Sequence, residues 1–389
     1  MNKQEQNLIH AVLAVVDNGA VPLCDNVKAL AELAKYHMVQ NIVAEVLPKM
    51  GSVSQKLLDS ITQEQTLLLI KDANQEAEIN SLIKLFEEQE IPAVLLKGWY
   101  LKQFYPRSDL RAMADYDIFI RKADEKNIHD LLKDRGFSVV AFGGKKDDVY
   151  KKEPFIIFEM HKNLFMFEDD WNEFFNNESS QMYIWNRVVN VDDNKYIYRM
   201  DDELFYVYMI AHIAKHLLDD GGIGLKAILD VWLFLKQKTD IDFDIIYRDL
   251  DKLGLKEFAD NVVALTKYWF EKADNTQPQI KQFGEHILSC GVYGNSGVMV
   301  ATKEDIMAEK PSAFKYLFRR AFPSAEAMKI RYPKLKTKSW LLPIYYVKRL
   351  WYNLIHRSKE VRSEFNSSRN VDYEKIQHIN RLYKDIGLK

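Results

Sequence analysis

Ala114-Asp115-Tyr116-Asp117 runs directly into Ile118-Phe119-Ile120, and no other stretch limits the fold of this chain as strongly. The three apolar residues read as a buried strand. Along a strand, residues i and i+2 project to the same face. Two carboxylates therefore leave one rigid edge side by side, and their like charges repel unless a cation lies between them. Mg²⁺ suits such a pair, because it takes one or two carboxylates and completes its shell with water and substrate phosphate. Asp115 and Asp117 are thus a candidate metal site carried by a core strand.

The surrounding sequence supplies neighbours for that strand. Residues 1 to about 50 read as helical, with Leu8, Val12, Val15 and Val16, then Leu30, Leu33, Ile42 and Val43, recurring at helix spacing. A longer helix is expected over 54–88, its inner stripe formed by Leu82, Ile83, Leu85 and Phe86, and Gln89-Glu90-Ile91-Pro92 ends it. Ala93-Val94-Leu95-Leu96, bounded by Pro92 and Gly98, reads as a buried strand. A short helix at 99–104, the aspartate strand, and a helix over 123–135 stopped by Gly136 follow. Residues 137–140 and 155–159 read as further strands, separated by a polar turn at 143–148. From Asp201 onward the pattern is helical again, over 204–218, 224–235 and 258–270. The expected class is α+β: a small mixed sheet within residues 91–200, an N-terminal helical region over 1–90, a helical domain over 201–300, and a tail over 301–389.

Composition narrows the setting. The formal net charge of the 389 residues is −2, which argues against wholesale coating of nucleic acid. Cys24 and Cys290 match no zinc spacing, which fits a reducing compartment. No apolar run approaches the ~20 residues that span a bilayer. The opening Met1-Asn2-Lys3-Gln4-Glu5-Gln6 leads into no signal-peptide core. A soluble, cytoplasmic protein is expected.

Three elements can converge on chemistry. Lys97-Gly98 stands where a strand end enters a helix, a setting in which glycine lets backbone approach a ligand and free N–H groups face phosphate. The second element is the Asp115/Asp117 pair. The third is Glu159, late on an apolar strand, with His161 two residues on and so on the same face. Three carboxylates on neighbouring strands can hold two Mg²⁺ ions ~4 Å apart, clamping the attacking and leaving oxygens of a phosphoryl displacement. Arg111, just before the strand, can fork onto non-bridging oxygens. His161 has a plainer reading as a hydrogen-bonded core histidine or a residue supporting the ligands.

In this order, Leu95-Leu96-Lys97-Gly98, Leu101, Tyr105-Pro106, Arg111 and Asp115-Tyr116-Asp117 resemble the signature of the polymerase-beta-type nucleotidyltransferase superfamily. The likeness is strongest to a bacterial branch of uncharacterised nucleotidyltransferases. It covers roughly residues 30 to 240 and includes Glu159-Met160-His161, then His212, His216 and Asp230. A weaker echo runs through Tyr332-Pro333, Leu342-Pro343 and Arg349. The resemblance implies transfer of a nucleoside monophosphate from an NTP, with ATP the expected donor, and release of pyrophosphate. Asp115 and Asp117 would hold both metals, and Glu159 the one that activates the acceptor hydroxyl. Lys97 and Gly98 would bind the triphosphate. The acceptor stays open among sugar phosphates, glycan precursors and protein hydroxyls. One departure stands out: Trp99 follows Gly98 where the superfamily usually carries a serine or a second glycine, so that hydroxyl contact is missing.

Alternatives remain at this level. The chain could be a catalytically silent nucleotide-binding or partner-binding module, and a metal-dependent phosphohydrolase is a weaker reading. His212 and His216, at i and i+4, share a helix face, and a structural or cleft role suits them better than metal ligation, since no glutamate follows His212. Asp230 is expected to orient one of them or to pair with Lys226. The tail places Lys315, Arg319, Arg320, Lys329, Arg331, Lys334, Lys336, Lys338, Lys348 and Arg349 among Tyr316, Phe318, Phe322, Trp340, Tyr345 and Trp351. It reads either as a solvated helical cap or as weak contact with an anionic membrane surface.

Overall fold

A computed structural model describes residues 1–144, 147–165, 171, 174–175, 183–219, 221–271, 273, 277–292, 322–323, 325, 328, 332, 335, 338–356 and 373–388. Of the basic tail, Lys315, Tyr316, Phe318, Arg319, Arg320, Lys329, Arg331, Lys334 and Lys336 lie outside the described residues. Among the described residues no helix is long and apolar enough to cross a membrane.

The N-terminal region is helical as read: α1 (Lys3–Val16), α2 (Val27–Tyr36), a single turn α3 (Gln40–Val43) and the 34-residue α4 (Gln55–Glu88). Ser54 accepts from the Leu57 N–H and so caps α4 at its start. At the other end Glu87 accepts from the backbone N–H groups of Lys195, Tyr196 and Ile197, which ties α4 to the last part of the sheet.

The α+β class holds, with a sheet larger than expected. Its strands are β1 (Ala93–Leu95), β2 (Tyr116–Ile120), β3 (Ser138–Ala141), β4 (Asp147–Lys152), β5 (Ile156–His161), β6 (Val188–Asn190) and β7 (Ile197–Met200). They lie in the order β3-β4-β5-β2-β1-β7-β6. β2 is antiparallel to β1 and parallel to β5, and β1 is parallel to β7, so the sheet is mixed. Between the strands run α5 (Lys97–Leu101) and α6 (Glu125–Asp134). Three expectations need correction. The polar turn at 143–148 ends in strand β4, whose Asp148 and Tyr150 are buried. The helix expected at 99–104 begins two residues earlier, so Lys97 and Gly98 sit inside its first turn. Asp115 precedes β2 by one residue instead of lying on it.

The two faces of the sheet are closed differently. Ala93, Leu95, Ile118, Ile120, Phe158 and Met160 pack with Leu82 and Phe86 of α4 and with Ile128 and Leu132 of α6. Val94, Leu96, Phe119 and Met200 instead join a larger core with the C-terminal helices α7 (Asp202–Asp219), α8 (Leu225–Gln237), α9 (Phe243–Lys252), α10 (Lys256–Phe270) and α11 (Pro278–Cys290). Leu8, Leu30 and Ile42 of the N-terminal region belong to this same core. Farther on, α12 (Leu342–His356) carries exposed Ile344, Val347 and Trp351, and α13 (Tyr373–Asp385) packs against α11.

Candidate active site

The register of the parallel β2/β5 pair builds the site. Asp117 lies opposite Glu159, and Phe119 opposite His161. Because side chains alternate, Asp117, Glu159 and His161 share the face on which Phe119 packs toward the C-terminal helices. Nε2 of His161 stands 2.8 Å from Oδ1 of Asp117 and 3.5 Å from Oε2 of Glu159. On the other side of Asp117, Nζ of Lys97 lies 3.3 Å from Oδ2. Burial alone would raise the Asp117 carboxyl, but Lys97 and the His161 hydrogen bond outweigh it and hold this group well below the usual carboxylate range. Asp115 moves the other way: burial and the neighbouring Asp117 charge both raise it.

Lys97 also donates to Nε2 of His212 at 2.6 Å. An ammonium has no acceptor, so His212 is neutral with its own proton on Nδ1. Burial, Lys97 and His216 together push the His212 imidazole far below its ordinary value. His216 Nε2 lies 2.9 Å from His212 Nε2, and the two rings meet edge to face. His212 thus holds Lys97, and His216 packs against His212 on the same helix face.

A cavity of about 440 Å³ opens beside these groups. Lys97, Gly98, Arg111, Asp115, Asp117, His212, His216, Lys226 and Asp230 line its polar part, and Met38, Met113, Met209, Ile213, Ile223 and Val292 much of the remainder. Glu159 and His161 are not among the lining residues. Gly98 sits close to its neighbours: a Cβ there would meet the flexible end of Met113, Cε, at 2.6 Å and Arg111 Nη1 at 3.4 Å. Arg111 is buried, and its Nε and Nη2 donate to the two oxygens of Asp230 at 2.8 and 2.9 Å. Its Nη1 is left toward the Gly98 carbonyl, 3.5 Å away. Tyr105 adds a hydrogen bond to Asp230 at 2.8 Å. This corrects the expected role of Asp230, which orients Arg111 and not a histidine, and has no ion pair with Lys226 among the described residues. The rim of the cavity joins distant parts of the chain: Val292 N–H donates to the Tyr36 carbonyl at 3.2 Å, and Leu225 N–H to Nδ1 of the buried His37 at 3.3 Å.

Among the described residues, Asp117, Glu159 and His161 form the one group whose ligand atoms, all within 4.8 Å of one another, could hold a metal ion. Two in-register carboxylates suit a divalent cation that prefers oxygen. Asp115 lies outside this cluster and lines the cavity. The model for the family described as uncharacterised nucleotidyltransferase matches residues 24–271. The chain belongs to that family. Comparison with curated proteins gives no match. Membership makes the chain a nucleotidyltransferase by family, with an NTP as the class of substrate implied. Within this nucleotidyltransferase, Lys226 is the cavity residue that sequence reasoning passed over as a ligand contact. The available signal was a lysine in the first turn of a helix that has no acidic residue there.

Proposed function

We propose that the protein moves a nucleoside monophosphate from an NTP, ATP in the first instance, to a hydroxyl or phosphate oxygen of an acceptor, with Mg²⁺ bound by Asp117 and Glu159 and approached by Asp115. The observation that carries this reading is the in-register pairing of Asp117 with Glu159 on parallel strands beside a cavity that holds Lys97 and Arg111. When bound, the divalent ion supplies charge neutralisation at the transferring phosphoryl group. The chain's residues do the rest. Lys97, Gly98 and the Nη1 edge of Arg111, which is not taken up by Asp230, bind and orient the phosphates, a task that dominates such transfers. Glu159, with a side chain 26% exposed against 9% for Asp117, is the more accessible carboxylate and takes the acceptor proton. The acceptor oxygen forms a bond to the α-phosphorus as the α–β bridging bond breaks, and pyrophosphate leaves with the electron pair. His161 holds Asp117 in position through its 2.8 Å hydrogen bond.

Pyrophosphate release from ATP and Mg²⁺, assayed across sugar phosphates, glycan precursors and hydroxyl peptides, tests the reading. Release that depends on Asp117 and Glu159 is the expected result. A second reading, a silent nucleotide-binding module, draws support from Trp99, which offers no hydroxyl after Gly98. It predicts calorimetric binding of ATP with no release for any acceptor.

A further inference from the structure

Lys226 stands in the first turn of α8, on the wall of the cavity that carries Lys97, Arg111, Asp115 and Asp117. Its setting disfavours a cation on several counts. The N-terminal end of a helix carries positive partial charge, which repels a lysine and attracts a carboxylate. The first turn of α8 holds no acidic residue, and Gly224 at its N-cap offers no side-chain hydrogen bond, although the Leu225 N–H donates to His37 Nδ1. Asp230, one turn along, is engaged by Arg111 through both oxygens. Among the described residues no carboxylate lies within ion-pair distance of Lys226, and its hydrogen bond to the Ala112 carbonyl is long, at 3.4 Å. Burial, with Arg111 and Lys97 as like charges, lowers this ammonium to about 7. A folded chain keeps such an arrangement at a cost in stability, and a polyanion entering the cavity removes the cost.

We propose that Lys226 binds the terminal phosphates of the nucleoside triphosphate, so that α8 forms a second wall of the polyphosphate cradle alongside Lys97 and Gly98. The identity of the whole substrate rests on the nucleotidyl-transfer reading; the affinity for polyphosphate rests on the cations alone. The wall of this cavity of about 440 Å³ carries Lys97, Arg111 and Lys226 together with Asp115, Asp117 and Asp230; Lys97 pairs with Asp117 and Arg111 with Asp230, which leaves Lys226 as the cation whose charge a phosphate can take up.

The test uses the full chain, with calorimetric titration of inorganic tripolyphosphate and of ATP in Mg²⁺, and with thermal melting in the absence of either. Lys226→Met is expected to weaken binding of both by about tenfold or more, and to melt above the wild type, because a frustrated cation has been removed. Lys226→Arg is expected to keep affinity within about threefold, since it preserves the charge. Unchanged affinity in Lys226→Met overturns the proposal, as does a wild type that binds no tripolyphosphate. Weak binding in Lys226→Met together with a lowered melting point, and no rescue by arginine, indicates a merely structural lysine and also overturns it. If the wild type binds tripolyphosphate but no acceptor yields pyrophosphate, Lys226 keeps its role and the transfer reading falls. If transfer proceeds and Lys226→Met leaves the KM for ATP unmoved, the transfer reading stands and the role of Lys226 falls.

Discussion

Lys162 and Lys226 lie on opposite sides of the same design problem. Lys162, 3% exposed at the end of β5, reaches Oε1 of Glu125 at 2.7 Å and Oδ1 of the buried Asp148 at 2.9 Å. Lys226, on the cavity wall, has a carbonyl at 3.4 Å, with the like charges of Arg111 and Lys97 around it and the carboxylates of Asp230 and Asp115 beyond ion-pair distance. Both ammonium groups give up water. The first receives two carboxylates from its own chain, so its charge is settled when the protein folds. The second is left for something outside the chain to settle. Buried charge serves structure where the counter-charge is built in, and serves binding where it is withheld.

Replacing Asp117 should have the largest effect. Asp117→Asn is expected to lower pyrophosphate release by about a thousandfold, since several kcal/mol of transition-state stabilisation depend on that carboxylate, while circular dichroism keeps the wild-type shape. Release at the wild-type rate in both Asp117→Asn and Glu159→Gln would sink the proposed site. Lys162→Met tests the structural side of the comparison. It strands Glu125 and Asp148 without their cation and should cost about 3–5 kcal/mol in urea unfolding. If Lys162→Met proves as harmless as Lys226→Met, the contrast between the two lysines is void.

A third test uses pH. Burial holds the His37 imidazole down at about 4 from an ordinary 6.5, with Nδ1 accepting from Leu225 N–H. In the unfolded chain His37 takes its proton near 6.5, so between 6.5 and 4 the unfolded state binds more protons than the folded one. His37 therefore contributes full stability above 6.5 and loses it as pH falls through this window, by about 3 kcal/mol in all. His37→Asn should flatten that part of the stability curve; a curve that keeps its slope would exclude His37 as the cause. The smallest effect belongs to Gly98→Ala. Its new methyl meets the flexible end of Met113, so stability should change by about 1 kcal/mol while the KM for ATP rises several-fold. A KM equal to wild type would remove Gly98 from the phosphate site.

The central strands were legible because β1, β2 and β5 carry short continuous apolar runs, the first of them bounded by Pro92 and Gly98. β4 escaped, since its first residues, Asp147-Asp148, close the stretch 143–148 that reads as a polar turn. What keeps Asp148 in the sheet is Lys162, a partner fourteen positions away that no local pattern reveals. The alliance of Glu159 with His161 followed from spacing two apart on a strand, whereas their meeting with Asp117 needed the parallel register. Asp230 shows the limit most clearly. Its nearest cation in sequence is Lys226, one turn before it, yet Arg111, 119 positions upstream, takes both oxygens. A bidentate guanidinium fits a buried carboxylate better than a lysine on the same helix can.

Gly224 leaves room for the closest contact at the rim: a methyl there would lie 2.4 Å from Cγ2 of Val292 and 3.3 Å from the His37 carbonyl. The opening of the cavity is thus framed by chain segments nearly as far apart in sequence as Met38 and Val292. Cutting away the first forty or so residues, a tempting way to obtain a shorter nucleotidyltransferase, would unframe the doorway and leave the room behind it exposed to water.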